Sequence, residues 1–115
     1  MSGNKPRNKG KRGERKARVI CNDLGWDAVR GLTQCDSGRG SDVIATTAFG
    51  LKLGIEVKSY ARHPSAKILG WREQAERGCD EGMAPMLIEL WDRREPWVSM
   101  PVSTLRRIVE ASRCE

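Results

Sequence analysis

Two β-prone runs, 41–47 (SDVIATT) and 51–60 (LKLGIEVKSY), are separated only by Ala48, Phe49 and Gly50. Both runs contain β-branched residues and a glycine closes the gap, so they read as an antiparallel hairpin. This feature ties two stretches of chain into one register and constrains everything around it. With the turn centred on Phe49, Asp42 and Glu56 lie the same distance either side of it. They become cross-strand neighbours, with Cβ atoms about 4.5–5.5 Å apart. Glu56 and Lys58 are two positions apart on one strand and share a face. Ile55 and Val57 then take the opposite, core-facing side, and that pattern resists a one-residue slip.

Around the hairpin the pattern alternates between helix and strand. Residues 14–24 carry Ala17, Ile20, Cys21 and Leu24 at helical spacing, with Gly25 as the stop. Glu14 falls on the same apolar face, where a carboxylate is costly without a partner, although negative charge at a helix start is common and favourable. Residues 26–30 alternate as a short strand, and 31–40 form a polar, glycine-containing loop. Residues 66–77 predict a second helix with Ile68, Trp71 and Ala75 on one face. Strands at 86–91 and 97–100 follow, joined by a charged turn at 92–96. A last helix over 103–111 turns Leu105, Ile108 and Val109 inward. The order α-β-β-β-α-β-β-α implies an α/β domain with a mixed sheet flanked by helices.

Length and composition agree with this. The chain has 115 residues, enough for one domain with a single core. No apolar run approaches the roughly 20 residues needed to cross a bilayer. No apolar segment follows the N-terminal basic residues, so the expectation is a cytoplasmic protein without a secretory signal. The four cysteines (Cys21, Cys35, Cys79, Cys114) form no close pair and the one histidine is His63. A structural zinc site is therefore not expected, and the cysteines read as reduced packing residues. Charge is unevenly spread. Residues 1–18 hold eight basic residues against the single acid Glu14, a local charge of +7, which leaves −1 for the remainder of a chain whose total is +6. Residues 1–12 lack apolar periodicity and read as a flexible basic arm, with 13–115 as the domain proper. Such an arm suits phosphate binding by counterion release, or it serves as a solubilising tail or an RNA contact.

The hairpin carries the chemistry. Two adjacent carboxylates repel, so one tends to stay protonated unless a cation binds. Carboxylate oxygens with water suit Mg²⁺, with Mn²⁺ able to substitute. The Val57 carbonyl offers another oxygen beside Asp42 and Glu56. Lys58 is placed to orient or deprotonate a water, or to neutralise charge growing on a phosphate. These parts suit metal-assisted phosphodiester hydrolysis. Taken alone, Glu-Val-Lys is also an ordinary exposed ion pair.

The arrangement S-D-V-I-A, a hairpin, then I-E-V-K-S resembles the PD-(D/E)xK nuclease superfamily, with Ser41 where the motif's proline stands. Within it the chain is most similar to the archaeal Holliday junction resolvases. These share a helix containing Gly-Glu-Arg (here Gly13-Glu14-Arg15), a Gly-aromatic strand ending in Arg (Gly25-Trp26 to Val29-Arg30) and a Ser/Gly/basic loop (Ser37-Gly38-Arg39-Gly40-Ser41). The resemblance spans about residues 10–60. It implies a restriction-endonuclease-like fold and an endonuclease that cuts branched double-stranded DNA as a homodimer. It also implies a catalytic set of Glu14, Asp42, Glu56 and Lys58, with Glu14 joining Asp42, Glu56 and Val57 at the metal. Arg15 and Arg30 become DNA or active-site arginines, and Ser37, Arg39 and Ser41 a DNA-contacting loop. The cationic arm adds Arg7, Lys9, Lys11 and Arg12. The hydrophobic segments MLIELW and WVSM offer a dimer contact.

Other residues are more ambiguous. Gln74 is a secondary candidate, since the helix after the E-x-K strand often lends a polar group to such sites; a solvated position is the simpler reading. His63 reads as a surface or DNA-side residue. Trp71, Trp91 and Trp97 sit in apolar patterns and read as core or interface. The small size and basic arm suit a phage or prophage recombination role. A restriction-like or mismatch endonuclease of the same fold, and a non-catalytic DNA-binding module, stay open as alternatives.

Overall fold

The computed structural model describes residues 5–31, 40–60 and 67–113, with side chains from Gly10 onward. Helix α1 (Lys5–Asp23) is followed by strands β1 (Asp27–Arg30), β2 (Val43–Thr46) and β3 (Lys52–Tyr60). Helix α2 (Ile68–Arg77), strands β4 (Ala84–Trp91) and β5 (Trp97–Ser99) and helix α3 (Val102–Arg113) complete the chain. The expected element order is present throughout.

Helix α1 starts at Lys5, well before the expected residue 14, so helical backbone runs through much of the segment read as a flexible arm. Lysine and arginine are good helix formers, but without apolar residues their first turns carry no periodicity to read. The helix ends as expected at Gly25. Its N–H donates to the Asn22 carbonyl and the Trp26 N–H to the Cys21 carbonyl, both at 3.0 Å. This is a Schellman closure, with Gly25 at φ +84° where a side chain would be strained. Ala17 and Cys21 are fully buried and Ile20 packs against the core, but Leu24 lies beyond the last turn and is exposed.

Among the described residues the sheet is five-stranded, in the order β1-β2-β3-β4-β5. All neighbours are antiparallel except β3 and β4, which run parallel with α2 as the crossover between them. The β2–β3 hairpin pairs Val43 with Ile55 and Ala45 with Leu53, a register centred on Phe49. The Thr47 N–H donates to the Leu51 carbonyl at 2.9 Å, and Gly50 to Thr47 at 3.0 Å, closing the turn. Val43, Ala45, Leu53 and Ile55 join Met86, Ile88 and Leu90 of β4 beneath Ala17 and Cys21 of α1 in one apolar cluster. Val57 packs against it from the same face. Residues of opposite parity meet α2 instead: the Tyr60 ring lies 5.3 Å from that of Trp71.

Helix α3 is rotated from the expected orientation. Leu105 and Val109 are exposed, while Thr104 is fully buried and donates from Oγ1 to the Pro85 carbonyl at 2.9 Å. Ile108 packs on the core. The inward stripe is thus Thr104 and Ile108, set by a hydroxyl that finds a partner on β4. Strand β4 lies between β3 and β5, with Met86, Leu87 and Ile88 each 1% exposed. The segment MLIELW is therefore interior to the chain and not an available dimer contact, whereas Trp97 and Val98 are exposed. Among the described residues no helix is long and apolar enough to cross a membrane.

Candidate active site

The hairpin register that buries Ile55 also brings Asp42 and Glu56 together. Asp42 lies one residue before β2, and the next step of the register beyond Val43 and Ile55 sets it opposite Glu56. The bond that fixes it is specific: the Val57 N–H donates to Asp42 Oδ2 at 2.9 Å. Gly31, at the end of β1, donates its N–H to the Asp42 carbonyl at 2.9 Å. A Cβ at Gly31 would stand 1.8 Å from the Ser41 carbonyl oxygen, so glycine is what allows β1 to close on the residue bearing this carboxylate.

Glu56 is 4% exposed. Lys58 Nζ lies 3.4 Å from Glu56 Oε2 and 5.9 Å from the centroid of the Trp71 ring, at the outer limit of a cation–π contact. Desolvation first and the Asp42 charge second push the Glu56 carboxyl up to about 7, with Lys58 working against both. Asp42 is also raised by burial, opposed by the Val57 N–H, Lys58 and Glu56. Burial thus raises both carboxyls, and the two acids titrate as a coupled pair.

Glu14 reaches the same neighbourhood from α1. Its carboxyl is raised first by burial and then by Asp42, against Arg30, Arg18 and Lys11. Its Oε1 lies 3.4 Å from Arg30 Nε. Among the described residues no three Asp, Glu, His or Cys side chains stand close enough to form a ready metal cage. The donors brought together are thus a carboxylate pair, with Glu14 nearby and held by arginine.

The remaining expected site residues divide three ways. Lys11, Arg12 and Arg15 are exposed on α1, and Gln74 is exposed on α2. Ser41, expected in the DNA-contacting loop, is instead 4% exposed and its hydroxyl donates to the Gly78 carbonyl at 3.2 Å, so its side chain is committed inside the fold and not offered to DNA. The side chains of Arg7 and Lys9, and residues Ser37, Arg39 and His63, lie outside the described residues.

Some neighbours escaped the sequence reading. Arg18 is half-buried, acts on Glu14, and its Nε is buried without a hydrogen-bond partner among the described residues. Its one sequence signal was the four-residue spacing from Glu14, which places both on one helix face. Glu89 is 5% exposed and takes the Tyr60 hydroxyl at 3.4 Å and the Ser99 hydroxyl at 3.5 Å. It pairs with Lys58 in the parallel register; only the isolated acid within MLIELW hinted at this. Trp71 and Trp91 flank Tyr60, while Trp97 is exposed.

No protein-family model matches the chain and no curated protein matches it. Among solved structures, the chain is similar to Hjc from Archaeoglobus fulgidus, a Holliday junction resolvase from an archaeal hyperthermophile. The two share 24% identity over 80% of this chain and 75% of that one, with a TM-score of 0.57. The fold is that of the resolvase. The mixed sheet flanked by helices is thus the resolvase architecture, and the acidic pair sits on its β2–β3 hairpin.

Proposed function

We propose that this protein is a divalent-metal-dependent endonuclease that cuts branched DNA. The observation that carries this reading is the cross-strand pairing of Asp42 with the buried Glu56, with Lys58 3.4 Å from Glu56. A binding module has no use for two acids aimed at a polyanion. Burial of two adjacent carboxylates is unfavourable unless a cation compensates them, and this oxygen donor set fits Mg²⁺ or Mn²⁺. Asp42, Glu56 and the Val57 carbonyl would hold the ion, with Glu14 as a further acid once released from Arg30. The ion supplies Lewis-acid polarisation of the phosphate.

The chain's own groups do the rest. The Val57 N–H fixes the Asp42 carboxylate. Lys58 offsets charge growing on the phosphate and orients the attacking water, held in place by Glu56 and Trp71. Arg15 and Arg30, together with Arg7, Lys9, Lys11, Arg12 and Arg39, bind the phosphate backbone. Two copies related by a two-fold axis fit a four-way junction, whose opposing strands are also two-fold related.

The test is cleavage of a synthetic four-way junction against a linear duplex of the same sequence, with Mg²⁺ or EDTA. Nicking near the branch with Mg²⁺ alone supports the proposal. Equal cutting of both substrates makes it a nuclease of another specificity, and binding without cutting makes it a DNA-binding module.

A further inference from the structure

At the carboxyl ends of β3 and β4 lies a pocket of about 330 Å³ that the acidic site does not use. Arg12, Gly13 and Lys16 of α1 form one wall, Ser59 of β3 and Leu90 of β4 another, and Trp91 and Asp92 the rim. Strand β3 separates it from the candidate active site: Glu56 and Lys58 point to one face, Val57 and Ser59 to the other. Strands β3 and β4 run parallel, so the pocket lies at the carboxyl ends of both.

Three features define what the pocket takes. The first is close approach. A Cβ at Gly13 would stand 2.7 Å from Ser59 Oγ and 3.6 Å from Leu90 Cδ1, so the missing side chain lets α1 settle until its cations border the Ser59 hydroxyl. The second is charge. Arg12 and Lys16, one helical turn apart, face the single acid Asp92, a formal surplus of one positive charge. Asp92 is tied down by its N–H, which donates to the Tyr60 carbonyl at 3.3 Å. With the Arg94 guanidinium a further cation 5.4 Å from the Trp91 ring, that surplus suits the negative charge of a phosphodiester. The third is the apolar surface of Leu90 and Trp91, suited to a sugar ring beside the phosphate.

We propose that this pocket is a subsite for a second phosphodiester of the bound DNA, separate from the one cut; the identity of the strand rests on the endonuclease reading above. Gly13 adjoins Glu14, and Ser59 adjoins Lys58. A strand crossing the end of the sheet therefore meets both sites, and seating one linkage in the pocket fixes which linkage reaches the acids.

The experiment is junction binding in Ca²⁺, with one neutral methylphosphonate moved step by step along each strand. It compares the wild type, the double variant Arg12→Gln/Lys16→Gln, and Lys52→Gln at the far end of β3 as control. Glutamine favours helix, and both positions are exposed, so folding is retained. The double variant is expected to bind about tenfold more weakly, with a salt slope lower by about 2, and to shift the cut position in Mg²⁺. At one linkage the methylphosphonate weakens the wild type but leaves the double variant unaffected. Unchanged affinity and salt slope, or an equal penalty at every linkage in both proteins, overturns the subsite. If the wild type binds and shows the position-specific effect yet never cuts, the subsite stands and the endonuclease reading falls. If the wild type does not bind the junction, both fall.

Discussion

The main-chain N–H of Val57 donates to Oδ2 of Asp42 at 2.9 Å, joining the residue before β2 to the middle of β3. One carboxylate oxygen is thereby fixed by the backbone of the strand that supplies Glu56 and Lys58. Replacing Asp42 by Asn keeps an oxygen for this bond but removes the charge. Cleavage is expected to fall by more than about 100-fold, with junction affinity within about threefold of wild type. Single-turnover cleavage and binding in Ca²⁺ measure the two separately.

Glu56 gives stability a pH dependence of definite sign. Its carboxyl moves from an ordinary 4.5 up to about 7, chiefly through burial. The folded chain therefore holds this proton more tightly than the unfolded chain. The contribution is fully present below about pH 4.5 and is lost as pH rises toward about 7, by about 3 kcal/mol at most. In EDTA, thermal stability should fall across this window in the wild type. Glu56→Gln should lack that slope and exceed the wild type in Tm above pH 7. Mg²⁺ should raise the wild-type Tm more at pH 8 than at pH 6, because the proton competes with the ion.

Gly31 supports the same carboxylate from the other side. In Gly31→Ala the new methyl group would meet the Ser41 carbonyl oxygen 1.8 Å away, so β1 must move off the backbone around Asp42. A loss of about 1–3 kcal/mol is expected, together with a fall in cleavage larger than instability alone explains. Urea unfolding and cleavage well below the melting range check this.

The Glu14–Arg30 pair bears on chemistry more than on stability. Its side chains are 20% and 59% exposed, so breaking it costs less than about 1 kcal/mol. Arg30→Gln leaves Glu14 without the largest of the cations that oppose its raised pKa. Cleavage is expected to fall about tenfold, with partial recovery in Arg30→Lys, which restores charge without the guanidinium fork.

The hairpin was legible because symmetry about Phe49 and the apolar pair Ile55 and Val57 leave only one register that keeps the core dry. Glu14 was legible because helical spacing put it on the face of Ala17 and Cys21. Periodicity did not fix how far each face is covered: Leu24 falls past the Schellman turn, and the stripe of α3 is set by the hydrogen bond of Thr104. It was silent on the first turns of α1, where charged helix formers leave no pattern. Ser41 looked like a loop residue until Gly78, distant in sequence, proved to be its acceptor. Arg18, Glu89 and the Tyr60–Trp71–Trp91 group depend on contacts between elements, and the parallel pairing of Lys58 with Glu89 has no local signature.

If Asp42 and Glu56 together hold a divalent ion, Mn²⁺ binding followed by electron paramagnetic resonance reads it without any substrate. Wild-type protein at pH 8 should bind Mn²⁺, with affinity lowered at least about tenfold in both Asp42→Asn and Glu56→Gln and unchanged in Lys52→Gln. Mn²⁺ binding of equal strength in the wild type and both acidic-site variants would rule out a metal site at Asp42 and Glu56.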